Sequence, residues 1–96
     1  MKILEKEIER KMCRLIKKHG GLSYKFASPG NPGVPDRIVI LPRGRVFFVE
    51  LKAEDGKPTD LQSWHIDRLC SVGANARLIR GWDAAKAFVD EVMGDG

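Results

Sequence analysis

The chain has 96 residues, 43% of them hydrophobic and 31% charged, which is enough for one hydrophobic core, too short for two, and too apolar for disorder. Its 17 Lys and Arg against 13 Asp and Glu give a net charge of +4, a balance that suits a polyanionic partner such as nucleic acid. No stretch approaches a membrane span, and Met1-Lys2-Ile3-Leu4-Glu5-Lys6 turns charged too early for a signal peptide, so a single cytoplasmic domain over residues 1–96 is expected.

In chain order, Leu4, Ile8, Met12, Leu15 and Ile16 recur at helical spacing among Lys and Glu, predicting an amphipathic helix over 3–18 that Gly20 and Gly21 end. Leu22-Ser23-Tyr24-Lys25-Phe26 alternates like a half-buried strand, and Ser28-Pro29-Gly30-Asn31-Pro32-Gly33-Val34-Pro35 reads as a stiff loop. Two strands follow, Asp36 to Leu41 and Val46 to Lys52, and the short Pro42-Arg43-Gly44-Arg45 turn between them favours an antiparallel hairpin. The second strand is apolar on both faces, as expected of a central strand covered from both sides.

A polar loop, Glu54-Asp55-Gly56-Lys57-Pro58, leads to Thr59 or Asp60 as the cap of a second helix reaching about Val72. On that helix Leu61, Trp64, Leu69 and Val72 share an apolar arc, which predicts Trp64 in the core in preference to a base-stacking platform, His65 within the arc and Gln62 at its border. Asn75 to Arg80 reads as a fourth strand, and Gly81-Trp82-Asp83 opens a last helix to about Met93, with Asp83 its candidate cap. The order is αβββαβα, an α/β domain with a mixed sheet flanked by helices. Cys13 and Cys70 fall within helices without metal-ligand spacing and read as small buried hydrophobes in a reducing compartment. Neither His19 nor His65 has a second His at ligand spacing, and Trp82 fits either the core or a base-stacking platform.

Strand alternation sets Glu50 and Lys52 on one face. A carboxylate and an ammonium at the end of a doubly covered strand are costly to desolvate unless paired or bound to something useful. Asp36 opens the neighbouring strand, and a hairpin between the two would bring its carboxylate near Glu50, with the pairing register left open by the sequence. Converging carboxylates repel unless a divalent cation separates them, and oxygen sites of this kind suit Mg²⁺ or Mn²⁺; Lys52 beside them can stabilise charge on a phosphate or an attacking water. The plainer alternatives are a Glu50–Lys52 ion pair at a strand end and a turn aspartate at position 36.

Gly33-Val34-Pro35-Asp36, thirteen intervening residues and then Glu50-Leu51-Lys52 resemble the PD-(D/E)XK nuclease signature, set at the start of one strand and the end of the next as in that restriction-endonuclease-like core. The resemblance is closer to the VRR-NUC branch of that superfamily, whose small stand-alone members are often phage-encoded. It covers nearly the whole chain and rests on Ser28 through Arg37, on Phe48-Val49-Glu50-Leu51-Lys52-Ala53 and on Leu61-Gln62.

The resemblance implies hydrolysis of DNA phosphodiester bonds with Mg²⁺ or Mn²⁺ held by Asp36, Glu50 and the backbone C=O of Leu51, with Lys52 activating the nucleophile and Gln62 in the site. No organic cofactor is expected. It also implies a glutamate from the first helix; of Glu5, Glu7 and Glu9, helical geometry places Glu5 inside the apolar arc, Glu9 just beyond its edge and Glu7 facing away, so Glu5 is the choice. Arg37, Arg43, Arg45 and Lys57 are candidates for phosphate contacts. The small size suggests a homodimer, and the resemblance of this branch's small nucleases to junction resolvases implies branched DNA and endonucleolytic cutting. A nucleic-acid-binding module without catalysis, or a subunit active only within a larger assembly, are the competing expectations.

Overall fold

A computed structural model describes residues 3–94. Ile8, Met12 and Ile16, each one helical turn from the next, are wholly buried on helix α1 (Glu5–Lys18), whose Glu-rich first turn and Lys-rich last turn complement its dipole. The chain continues through strands β1 (Leu22–Lys25), β2 (Arg37–Leu41) and β3 (Arg45–Lys52), helix α2 (Asp60–Ser71), strand β4 (Asn75–Arg80) and helix α3 (Gly81–Gly94). This is the predicted αβββαβα order. No helix among the described residues is long and apolar enough to cross a membrane.

The strands form one sheet in the order β1-β2-β3-β4, antiparallel from β1 to β3 and parallel between β3 and β4. A tight 3₁₀ turn, Pro42–Gly44, closes the β2–β3 hairpin with Arg43 in the left-handed region (φ 71°). The parallel pair needs a crossover, which α2 supplies. Helices α1 and α3 cover one face of the sheet, where Val39, Leu41, Phe47, Val49, Leu51 and Ile79 join Ile8, Met12, Ile16, Phe88, Val89 and Val92 in the core. The opposite face carries Phe48, packed on Phe26 (centroids 5.8 Å apart), and the fully buried Glu50.

Truncation of Ile8 opens a cavity under α1, so Ile8→Ala should lose about 2–5 kcal/mol of stability. Leu4→Ala, at an exposed position of the same helix, should change stability by less than about 0.5 kcal/mol. Urea titration of both proteins checks the contrast.

Four expectations need correction. First, β1 is an edge strand with Leu22 51% and Tyr24 55% exposed, because no helix covers its outer side. Second, α2 turns Gln62, Ile66 and Leu69 inward and leaves Leu61, Trp64 and Val72 exposed; its apolar residues are too few to define a face, and the Gln62 amide is drawn inward by polar partners. Third, Cys70 is exposed, its thiol donating to the Ala76 carbonyl, and Cys13 is only half-buried beside Ser23. Fourth, Asp83 lies in the first turn of α3, which begins at Gly81 directly after β4. Trp82 is half-buried against the core with the Lys11 ammonium 5.0 Å from its ring centre.

Candidate active site

The register of the hairpin, left open by the sequence, decides the site. Its last pair is Arg37↔Val49, so one step further the antiparallel register sets Asp36 opposite Glu50. The Asp36 carbonyl is held by the Phe26 N–H at 2.7 Å, and the buried Pro35 before it anchors the incoming loop. On its other side β3 stays paired with β4 as far as Lys52↔Arg80. The end of β3 is therefore fixed on one flank and open towards Asp36 on the other.

Glu50 is the one buried charged residue among those described. Its Oε2 takes both partners, the Lys52 ammonium at 3.4 Å and the Gln62 side-chain amide at 3.4 Å. Its Oε1 is buried and, among the described residues, has no hydrogen-bond partner. Burial raises the Glu50 carboxyl from 4.5 to about 7; the nearby Asp36 carboxylate adds to the rise and Lys52 opposes it.

Gln62 is fixed at both ends. Its Oε1 accepts from the Thr59 N–H at 2.9 Å while its own backbone N–H donates to Thr59 Oγ1 at 3.1 Å, a capping box that starts α2. The amide nitrogen is thereby left for Glu50. The Thr-x-x-Gln spacing was present in the sequence as the signal for this arrangement. Gly33 sets the loop against the same helix: with φ at 92°, it brings the backbone so close to Leu61 that a Cβ would lie 2.9 Å from Leu61 Cγ.

Glu5 and Glu9 both line a cavity of about 420 Å³ with Asp36, together with Lys6, Lys25 and Phe26. Glu5 is exposed there, not buried as expected. It shares the helix with the buried Ile8, but an angle on a helix carries no information about depth. Glu9 is held by Arg37, Nε to Oε2 3.1 Å. Arg37 is thus beside the site but paired. Lys6 and Lys25 were not singled out from the sequence, which shows no local pattern that would bring them to Asp36.

The other basic candidates separate. Lys57 lies in the β3–α2 loop, next to Gly56, whose carbonyl accepts from Arg80 at 3.4 Å. Arg43 and Arg45 sit at the far end of the hairpin, away from Glu50. Arg45 donates to the Val92 carbonyl at 2.8 Å and to the Pro42 carbonyl at 3.3 Å, bracing α3 and the turn. The Leu51 side chain points into the core, with its peptide between the two polar residues of the site.

The donor set fits a small divalent cation. Among the described residues no three His, Cys, Asp or Glu side chains are placed to hold a metal ion together, so the acidic ligands reduce to the Asp36–Glu50 pair. Mg²⁺ is commonly held by one or two carboxylates with water and substrate phosphate completing its shell. The unpartnered Glu50 Oε1, buried beside a second carboxylate, is the oxygen such a cation would satisfy.

No family profile matches the sequence. A protein of Acyrthosiphon pisum secondary endosymbiont phage 1, provisionally named nuclease p44, is 48% identical over 81 residues, spanning 84% of this chain and 87% of that protein. A solved VRR_NUC domain superposes with a TM-score of 0.84 at 31% identity, covering 90% of this chain and 94% of its own. A second solved VRR_NUC domain protein, at 20% identity, shares the fold with a TM-score of 0.81 over 100% of this chain and 93% of its own.

Proposed function

The chain belongs to the VRR_NUC family, and from that premise we propose that it is a metal-dependent nuclease that hydrolyses phosphodiester bonds in DNA. The observation that carries this reading is the fully buried Glu50, with one oxygen on Lys52 and Gln62 and the other without a donor. A purely structural glutamate would have both oxygens satisfied.

Asp36 and Glu50, with the Leu51 carbonyl, would hold Mg²⁺ or Mn²⁺. When bound, the cation supplies Lewis acidity to the scissile phosphate and lowers the pKa of water at the site. Gln62 and Lys52 hold Glu50 Oε2, which would leave Oε1 for the cation. Lys52 presents its ammonium where negative charge develops on the nucleophile or the phosphate. Glu5, at the mouth of the cavity beside Asp36, can accept a proton from water or orient it. Lys6, Lys25 and Lys57 give the approaching backbone a cationic rim, and Arg37 contributes through its pair with Glu9.

Branched DNA as substrate, endonucleolytic cutting and a homodimer belong to the same proposal. They are supported by analogy to junction resolvases and by the small size of the chain, with the exposed Leu22 and Tyr24 on the edge strand offering a face to a second copy. The phage origin of the p44 relative supports action in the host cytoplasm.

A panel of labelled duplex, single-stranded, flap and four-way-junction DNA, incubated with Mg²⁺, Mn²⁺ or EDTA, tests the proposal. Cutting in either metal and none in EDTA is expected, fastest on the junction, from protein that elutes as a dimer. Binding without cutting on every substrate would instead mark a binding module or a partner-dependent subunit.

A further inference from the structure

Helix α2 presents two different flanks. Gln62 reaches inward to Glu50, while Leu61 and Trp64 face solvent, 43% and 50% exposed. Leaving half an indole in water forgoes a large part of its burial energy, yet Trp64 does not hang loose. The Arg68 guanidinium lies 5.0 Å from its ring centre, and His65 meets it edge-on at 4.9 Å. His65 Nε2 in turn donates to the Pro32 carbonyl at 3.0 Å, and Leu61 is seated against Gly33. The loop that delivers Asp36 therefore also fixes the flank that carries Trp64.

Asp60, Leu61 and Trp64 line a shallow cavity of about 440 Å³. Its walls are apolar and its charged group is a carboxylate, so a phosphate is repelled. A flat heterocycle with N–H donors on its edge is accommodated. We propose that this notch binds one unpaired nucleobase of the DNA strand being cut, stacked on Trp64 with its amino edge on Asp60; the proposal rests on the nuclease reading above.

The base must be unpaired because within a duplex its π-faces are covered by neighbours, whereas a splayed base offers a face to an aromatic side chain. Asp60 accepts from the exocyclic amine of cytosine, adenine or guanine, which thymine lacks. Arg68 lies over one face of the Trp64 ring, so the base stacks on the other, with the guanidinium charge near the backbone of the bound nucleotide. Because Trp64 and Gln62 share one helix, a base held on Trp64 is fixed relative to Glu50, and a strand carrying an unpaired nucleotide near the scissile phosphate is preferred over a continuous duplex.

The test is binding of a short fluorescein-labelled oligodeoxycytidine, read by anisotropy in EDTA so that no strand is cut. The wild type, Trp64→Ala and Trp64→Phe are each compared on this strand and on the same strand with abasic sites. Trp64→Ala should weaken binding of the base-bearing strand roughly tenfold, the scale of one lost base–aromatic stack, while Trp64→Phe keeps most of it. The abasic strand should bind wild type and Trp64→Ala alike. Oligothymidine should bind more weakly than oligodeoxycytidine, with the gap narrowed in Asp60→Asn.

Equal binding by wild type and Trp64→Ala would overturn the proposal. So would an equal loss on base-bearing and abasic strands, or a Trp64→Ala protein that turns from dimer to monomer on size exclusion, which would assign the flank to a second copy. Failure of the nuclease reading has a different signature: Trp64-dependent binding intact, with no cutting in Mg²⁺ or Mn²⁺.

Discussion

Lys52→Ala should lower Mg²⁺-dependent cleavage by at least about a hundredfold, the scale of a lost charge-stabilising or proton-transfer group, and Asp36→Ala should lower it at least as far. The two losses have different causes. Lys52 is 3.4 Å from Glu50 Oε2 and supplies positive charge that no nearby described residue replaces in the same position. Asp36 stands opposite Glu50 in the extended register of the hairpin and would be a ligand. Single-turnover cleavage across a Mg²⁺ series separates them: Asp36→Asn should recover part of its rate at high Mg²⁺, and Lys52→Ala should not. Asp36 is exposed, so its replacement should leave the circular dichroism spectrum unchanged. A fully active Asp36→Ala protein would remove the carboxylate pair from the reaction.

The second large effect is on stability. Glu50→Gln should raise the melting temperature of the metal-free protein above pH 7, even though it removes one partner of an ion pair. The sign follows from the raised carboxyl, at about 7 in the folded protein against 4.5 when free. Between these values the folded state retains a proton that the unfolded state releases, so stability is lost as pH rises towards 7 and the loss is constant above it. Its full size is about 3 kcal/mol at 1.36 kcal/mol per unit of pKa. Glutamine carries no such charge and no such loss.

Thermal melts in EDTA should therefore show the variant above the wild type at pH 8, with the difference shrinking towards pH 4. Mg²⁺ should raise the melting temperature of the wild type and leave that of Glu50→Gln nearly unmoved, because only a cation bound to the folded state shifts the equilibrium. If Glu50 and Lys52 were a purely structural pair, Glu50→Gln would destabilise the protein and Mg²⁺ would have no effect. That outcome would count against the metal site directly, independently of any substrate.

Much of this is legible in the amino-acid sequence. Alternation along β3 sets Glu50 and Lys52 on one face, and the period of α1 picks out Ile8, Met12 and Ile16 as its core stripe. The Pro-Asp and Glu-x-Lys spacing marks the two strand ends that bring Asp36 and Glu50 together. These features are local, since each depends on backbone geometry within a few residues.

What the sequence could not supply was register and depth. The helical angle of Glu5 predicted burial, whereas Glu5 is exposed at the cavity beside Asp36. The apolar arc of α2 predicted Trp64 in the core, whereas Gln62 faces inward because Thr59 and Glu50 hold its amide. The pairing of Arg37 with Glu9, 28 residues away, has no local signal either. Sequence by itself determined the order of elements, the chemistry available and which residues share a face, because these follow from the short-range periods of helix and strand. Only the tertiary structure decided that Asp36 stands opposite Glu50, that one Glu50 oxygen is buried without a donor, and that Trp64 is left in water. Each of these depends on the register and packing between segments distant in the chain, and no local period encodes them.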